Sequence, residues 1–171
     1  MIAVVAAAPP PEVRLANADD AEAIRAIYNR EVTGSTVTFD LVPRTLDEQR
    51  AWLASHAGAH PAVVAVRDGT VLGFGSLSAY RPRPAYATTV EDSVYVHHEA
   101  RRQGVGAAIL GELIRLATTH GFHAVMARVV GGHEASIRVH RACGFELVGV
   151  EKEVGRKFGR WLDVVLMQRL L

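Results

Sequence analysis

The sequence predicts a mixed α/β domain, and three observations carry that expectation. Short apolar runs with strand-like alternation recur along the chain, between stretches whose apolar residues fall at helical spacing. Asp68-Gly69, a hairpin signal, joins two of the strand-like runs. A glycine-containing turn, Arg101-Arg102-Gln103-Gly104-Val105-Gly106-Ala107, stands between a strand-like run and the most regular helical one.

Val13 to Ala16 reads as a short strand. Asp19 and Asp20 are placed to cap a helix whose apolar stripe is Ala23, Ile24, Ile27 and Tyr28. Thr33 to Pro43 reads as a loop, after which Thr45 and Glu48 have the spacing of a capping box. They open a second helix carrying Leu46, Trp52 and Leu53. Ala62 to Val66 and Val71 to Tyr80 are strands on either side of Asp68-Gly69, and Thr88 to His97 is the next. Between the last two, Arg81-Pro82-Arg83-Pro84 is a loop. Val105, Ile109, Leu113, Leu116 and Ala117 then form an amphipathic stripe that Gly121 stops. Phe122 to Val130 reads as a buried strand, and Glu134 to Cys143 as a short helix ended by Gly144. Phe145 to Glu151 and Trp161 to Leu170 complete the sheet. The order β-α-α-β-β-β-α-β-α-β-β shows no internal repeat and no domain boundary.

At 171 residues the chain is expected to form one domain, residues 12–171, with a single core. Residues 1–11 are Ala-rich, end in three prolines, and are expected to be a disordered extension. Their apolar run, Ile2 to Ala8, has no basic residue before it and is too short to span a bilayer. A formal net charge of +1 argues against a nucleic-acid or acidic-membrane surface. The single cysteine, Cys143, excludes an internal disulfide, fits a reducing cytoplasm and reads as a packed thiol.

The glycine turn carries the most chemistry. Gly104 and Gly106 leave the backbone open to a bulky anion, and the first turn of a helix offers unpaired N–H groups and the positive end of the macrodipole. Arg101 and Arg102 add charge beside it. A P-loop would have Lys-Ser or Lys-Thr where Ala107-Ala108 follow Gly106. The dinucleotide fingerprint would have Gly or Ala at Ile109 and an acidic residue near Val125 to Ala127. Both readings fail; the strand, glycine turn and helix together suggest another pyrophosphate-bearing cofactor, the alternative being that Gly104 and Gly106 only form a strand-to-helix turn.

With Arg-x-x-Gly-x-Gly opening the main helix, the element order resembles the GNAT superfamily of acetyl-CoA-dependent N-acetyltransferases. Further segments are similar to its phosphinothricin and methionine sulfone/sulfoximine acetyltransferases: Thr89-Val90-Glu91-Asp92-Ser93-Val94-Tyr95-Val96, Ala135-Ser136-Ile137, Gly144-Phe145, Gly155 to Asp163 and Ala26-Ile27-Tyr28-Asn29. The resemblance runs from about Val13 to Leu170. It implies a GNAT fold, a mixed, mostly antiparallel sheet of about seven strands flanked by about four helices. It implies that Arg102, Gln103, Gly104, Val105, Gly106 and Ala107, with Arg101 beside them, hold the pyrophosphate of acetyl-CoA. Backbone groups of Val94, Tyr95 and Val96 are implied to pair with the pantetheine arm, with His133 and Ser136 also on the cofactor side. His133 stands where the family has Asn. A cytoplasmic homodimer is expected on the same ground.

An attacking amine needs a proton acceptor, and Glu91 is the candidate general base. Strand alternation puts Glu91, Ser93 and Tyr95 on one face and Asp92 on the other. His140, one turn after Ser136, is the candidate acid for the departing thiolate, at a position where many superfamily members carry Tyr. An amino acid acceptor carries a carboxylate, for which Arg81 is the expected partner, with Arg160 as a weaker choice. Pro82, Arg83, Asp92, Ser93, Phe39 and Tyr80 complete the expected acceptor pocket. No metal is expected, because His97-His98 and His120-x-x-His123 lack a convergent carboxylate or cysteine set. The leading expectation is N-acetylation of methionine sulfone, methionine sulfoximine or a phosphinothricin-like amino acid by direct amine attack. The alternatives are acetylation of another amine or a protein N-terminus, and a non-catalytic acyl-CoA sensor.

Overall fold

The computed structural model describes residues 9–171. Its strands are β1 (Glu12–Leu15), β2 (Ala62–Arg67), β3 (Thr70–Ala79), β4 (Thr89–Val96), β5 (Ala124–Val130), β6 (Glu146–Lys157) and β7 (Arg160–Leu170). Its helices are α1 (Ala21–Gly34), α2 (Leu46–Ser55), α3 (Val105–Thr119) and α4 (Glu134–Ala142). All the strands join one sheet in the order β1-β2-β3-β4-β5-β7-β6. Every neighbouring pair is antiparallel except β4 and β5, so the expected mixed, mostly antiparallel sheet forms. Of the expected extension, residues 1–8 lie outside the described residues, and Pro9 to Pro11 precede β1 without regular structure.

Each face of the sheet buries its own apolar cluster. On one, Ile109, Leu110 and Leu113 of α3 pack with Val63, Leu77, Val90, Val125 and Met167, and Ile137 of α4 joins them. On the other, Ile24, Ile27, Tyr28 and Val32 of α1 and Leu53 of α2 cover Val64 and Phe74. Glycines in β3 bring α3 close. A Cβ on Gly75 would stand 2.6 Å from Ile109 Cγ2 and 2.8 Å from the carbonyl oxygen of Ser93. Only a residue without a side chain lets the helix seat there.

Several boundaries differ from the sequence reading for physical reasons. Asn17 and Asp20 form a capping box around a 3-10 turn at Ala18–Asp20 that leads into α1, the Asp20 carboxylate accepting from the Asn17 backbone N–H at 2.8 Å. Asp20 also accepts from the two terminal guanidinium nitrogens of Arg14 at 2.7 and 2.9 Å. The Thr45–Glu48 capping box forms as expected. β6 runs six residues past Glu151, to Lys157, because register shifts between Leu147 and Gly149 and between Glu151 and Gly155 break the alternation that would have revealed it. Phe158 and Gly159, with φ of 49° and 74°, close the tight hairpin into β7.

Candidate active site

β4 and β5 pair from Thr89–Ala124 to Glu91–Met126 and no further, although β4 continues to Val96 and β5 to Val130. Beyond Glu91 the strands diverge, and a cleft of about 770 Å³ opens between them. Asp92 to Val96 form one wall and Ala127 to Val130 the other. β3 pairs with β4 throughout this stretch, so the remaining backbone groups of β4 belong to the cleft edge. Such an edge can accept an extended, amide-bearing ligand as it would another strand.

The first turn of α3 lines the same cleft through Val105, Gly106 and Ala107. Its N-cap, Gly104, has no side chain to cap it, and its first backbone bond runs from Ala108 N–H to the Gly104 carbonyl. The N–H groups of Val105, Gly106 and Ala107 are therefore available to an anion. Gly104 has φ of 79°, a left-handed geometry that suits glycine, and Arg102 adopts φ of 63° beside it. Arg101 is held in place by an ion pair with the buried carboxylate of Glu31.

Glu91 sits where the strands part. Burial pushes its carboxyl above the usual carboxylate range; Arg128 opposes that, while Asp92 and Glu151 add to it. On the far face of β4, Asp92 and His140 are both buried, with Nε2 of the imidazole 3.1 Å from Oδ2. His140 Nδ1 lies 2.8 Å from the Ser136 carbonyl oxygen and 3.3 Å from its hydroxyl. The Tyr95 ring stacks on Phe74 and meets Tyr28 edge to face, so this residue reaches the cleft mainly through its backbone. Tyr28 OH bridges Thr38 and Asp40 at 2.9 and 2.6 Å, fixing the loop that presents Val37 and Phe39 to the cleft.

An uncapped helix terminus beside an unpaired strand edge is a cradle for a pyrophosphate on an extended arm. Residues 21–145 match the model of the Acetyltransferase (GNAT) family. The chain belongs to this family. It is 46% identical, over 93% of its length and 82% of the other, to a phosphinothricin N-acetyltransferase of Alcaligenes faecalis. It is 39% identical, over 91% of its length and 92% of the other, to an L-methionine sulfoximine/L-methionine sulfone acetyltransferase of Pseudomonas aeruginosa. A crystal structure of a GNAT superfamily phosphinothricin acetyltransferase from Sinorhizobium meliloti, in complex with AcCoA, superimposes with a TM-score of 0.92 at 41% identity, covering 95% of this chain and 89% of that one.

In this GNAT chain the cleft gathers Glu91, Asp92, Ser93, Val94, Tyr95, Val96, Arg101, Arg102, Gly104 to Ala107, His133, Ser136, His140 and Phe39. It does not gather all the expected residues. The Gln103 side chain turns away, accepting from Arg67 and donating to the Glu99 carbonyl. Tyr80, Arg81, Pro82 and Arg83 are not part of the cleft lining. Arg81 lies over the rings of Tyr80 and Tyr86, 4.9 and 5.6 Å from their centroids, though its charge is felt at Glu91. Asp92, expected among the acceptor residues, lines the cleft with its carboxylate facing His140. Near the cleft, His97, His98 and Glu99 bring ligand atoms within 4.8 Å of one another, so a carboxylate does stand beside the histidine pair.

Sequence reasoning missed Glu31 and Arg128. Both left a trace: Glu31 continues the Ile24–Ile27–Tyr28 stripe, and Arg128 is the lone charge in an apolar strand.

Proposed function

We propose that the chain transfers an acetyl group from acetyl-CoA to the α-amino group of a small amino acid of the methionine sulfone, methionine sulfoximine or phosphinothricin type. The observation that carries this reading is the position of Glu91, a carboxylate of raised proton affinity at the mouth of a strand-like slot that leads to the α3 N-terminus. The named activities of the similar proteins support the acceptor class. Acetyl-CoA, when bound, supplies an acyl thioester at the slot. The N–H groups of Val105, Gly106 and Ala107, with Arg101 and Arg102, fit its pyrophosphate, and the open edge of Val94 to Val96 fits its amide arm.

Glu91 takes a proton from the acceptor ammonium, leaving a nucleophilic amine. His140 is the proton donor for the departing sulfur, passing its Nδ1 proton through the Ser136 hydroxyl, which lines the cleft. The reaction needs no covalent intermediate on the protein. Arg81, whose charge acts on Glu91, offers a positive charge to an acceptor's phosphinate, and Phe39 walls the pocket. Cytoplasmic homodimers are part of the same proposal, supported for the dimer by exposed Leu147, Val148, Val150 and Val154 on β6, the outer strand of the sheet.

Thiol release from acetyl-CoA, followed against amino acids, simple amines and peptides, tests the reading. Turnover of methionine sulfone, methionine sulfoximine or phosphinothricin is the expected result. Turnover of peptides alone would replace the acceptor, and acetyl-CoA binding with no turnover on any acceptor would overturn the enzyme.

A further inference from the structure

Every residue of β5 is buried except Arg128, the only charged residue in the strand. Met126, two positions earlier, is the register partner of Glu91. The side-chain period of two therefore puts Arg128 on the face of Glu91, one step further into the diverging cleft. Its guanidinium reaches over β7 to Glu151 on β6, with Nη2 2.8 Å from Oε2. Glu91, Arg128 and Glu151 thus make a row across the sheet, a cation between two carboxylates.

That single contact uses one of the five N–H donors of the guanidinium, and among the described residues it is the only hydrogen bond the group makes. The Arg128 side chain is 36% exposed, and it lines the cleft beside Glu91. The nearby alternative, Arg81, is already stacked on two tyrosine rings outside the cleft lining.

We infer that Arg128 binds the α-carboxylate of the acceptor while Glu91 receives the α-ammonium group. This inference rests on the amino acid reading proposed above. An α-amino acid carries the two opposite charges on one carbon, and the row offers the two opposite charges side by side on one surface. A guanidinium binds a carboxylate through two parallel N–H bonds, so Arg128 fixes the direction in which the amine points as well as its charge. Glu151 keeps the long side chain extended across β7 and leaves its remaining donors open. The selectivity expected is for acceptors with a free α-carboxylate over the corresponding simple amines.

Arg128→Ala and Arg128→Lys, assayed with methionine sulfone and with its decarboxylated amine, test the inference. In Arg128→Ala the KM for the amino acid is expected to rise roughly 10- to 100-fold, the loss of a charge-assisted pair. The KM for acetyl-CoA, which reports an intact fold and donor site, is expected to hold, and the preference for the amino acid over the amine to collapse. Arg128→Lys keeps the charge without the fork and is expected to recover part of that preference. Glu151→Gln, which removes only the partner, is expected to raise the amino acid KM less than Arg128→Ala. An equal rise would make Arg128 a tie between strands and overturn its ligand role. Unchanged discrimination in Arg128→Ala, with the wild type active on amino acids, would overturn the inference and leave the proposed function standing. A wild type that acetylates only simple amines would overturn both.

Discussion

His140 and Asp92 are closed in together behind β4, with Nε2 3.1 Å from Oδ2, while the other ring nitrogen lies 2.8 Å from the carbonyl oxygen of Ser136. A carbonyl and an ionised carboxylate both accept, so a ring that satisfies both must carry both protons. Burial works against that charge, but the bond and the charge of Asp92, helped by the Ser136 carbonyl, outweigh it and raise the His140 pKa.

The raised value sets the sign of a pH effect. Stability gained from the pair is fully present below the ordinary histidine value of about 6.5 and is lost as pH rises through the higher folded value. The difference in urea midpoint between the wild type and His140→Gln is therefore expected to shrink as pH is raised above neutrality. A difference that grows with pH would show that the neutral ring is the stabilised form. Asp92→Ala, which strands the buried imidazolium, is expected to cost about 3–5 kcal/mol in urea unfolding below that pH.

Glu91 gives a kinetic counterpart. Burial raises its pKa, with Arg128 opposing, so the acidic limb of kcat/KM is expected above the ordinary glutamate value of about 4.3. Glu91→Gln is expected to lower kcat roughly 100- to 10,000-fold and remove that limb, with little change in the KM for acetyl-CoA. Full activity in Glu91→Gln would remove the residue from the base role.

At the α3 N-terminus two glycines separate folding from ligand fit. Gly104 has φ of 79°, so Gly104→Ala is expected to cost about 1 kcal/mol in stability from backbone strain alone. At Gly106 a Cβ would meet only Val96 Cγ2, at an ordinary 3.6 Å, and would stand in the lining of the cleft. Gly106→Val is therefore expected to raise the KM for acetyl-CoA about tenfold while the thermal midpoint falls little. An unchanged KM would place the pyrophosphate elsewhere.

The part of the cleft proposed for the donor was legible because it is nearly continuous in sequence. Residues 94–96 and 101–107 carry the strand edge, the glycines and the helix start within a few positions of one another. The proposed acceptor half is assembled from Phe39 on a loop, Glu91 on β4, Arg128 on β5 and Glu151 on β6, and no local spacing links these. Elements were readable from periodicity wherever it was unbroken, as in α3. The register shifts in β6 reset that periodicity, so the strand looked as if it ended at Glu151, and the segment from Gly155 to Asp163 looked like a motif rather than a hairpin.

Lys157 shows what the extended β6 does for the cleft wall at Phe39. The residue is 3% exposed, and its Nζ donates to the carbonyl oxygens of Thr38 and Glu31 at 2.8 and 3.4 Å. It thereby ties the end of β6 to α1 and to the loop holding Phe39, whose ring lies so close to Gly155 that a Cβ there would stand 2.3 Å from it. Burial lowers the Lys157 pKa, against the pull of Asp40 and Glu31. Lys157→Met keeps most of the volume and leaves both carbonyls without that donor, at an expected cost of about 1–3 kcal/mol in unfolding. Because the loosened loop lines the proposed acceptor end of the cleft, the KM for the amino acid is expected to rise several-fold more than the KM for acetyl-CoA. Equal changes in the two constants would mean that Lys157 supports the fold as a whole and not the acceptor wall.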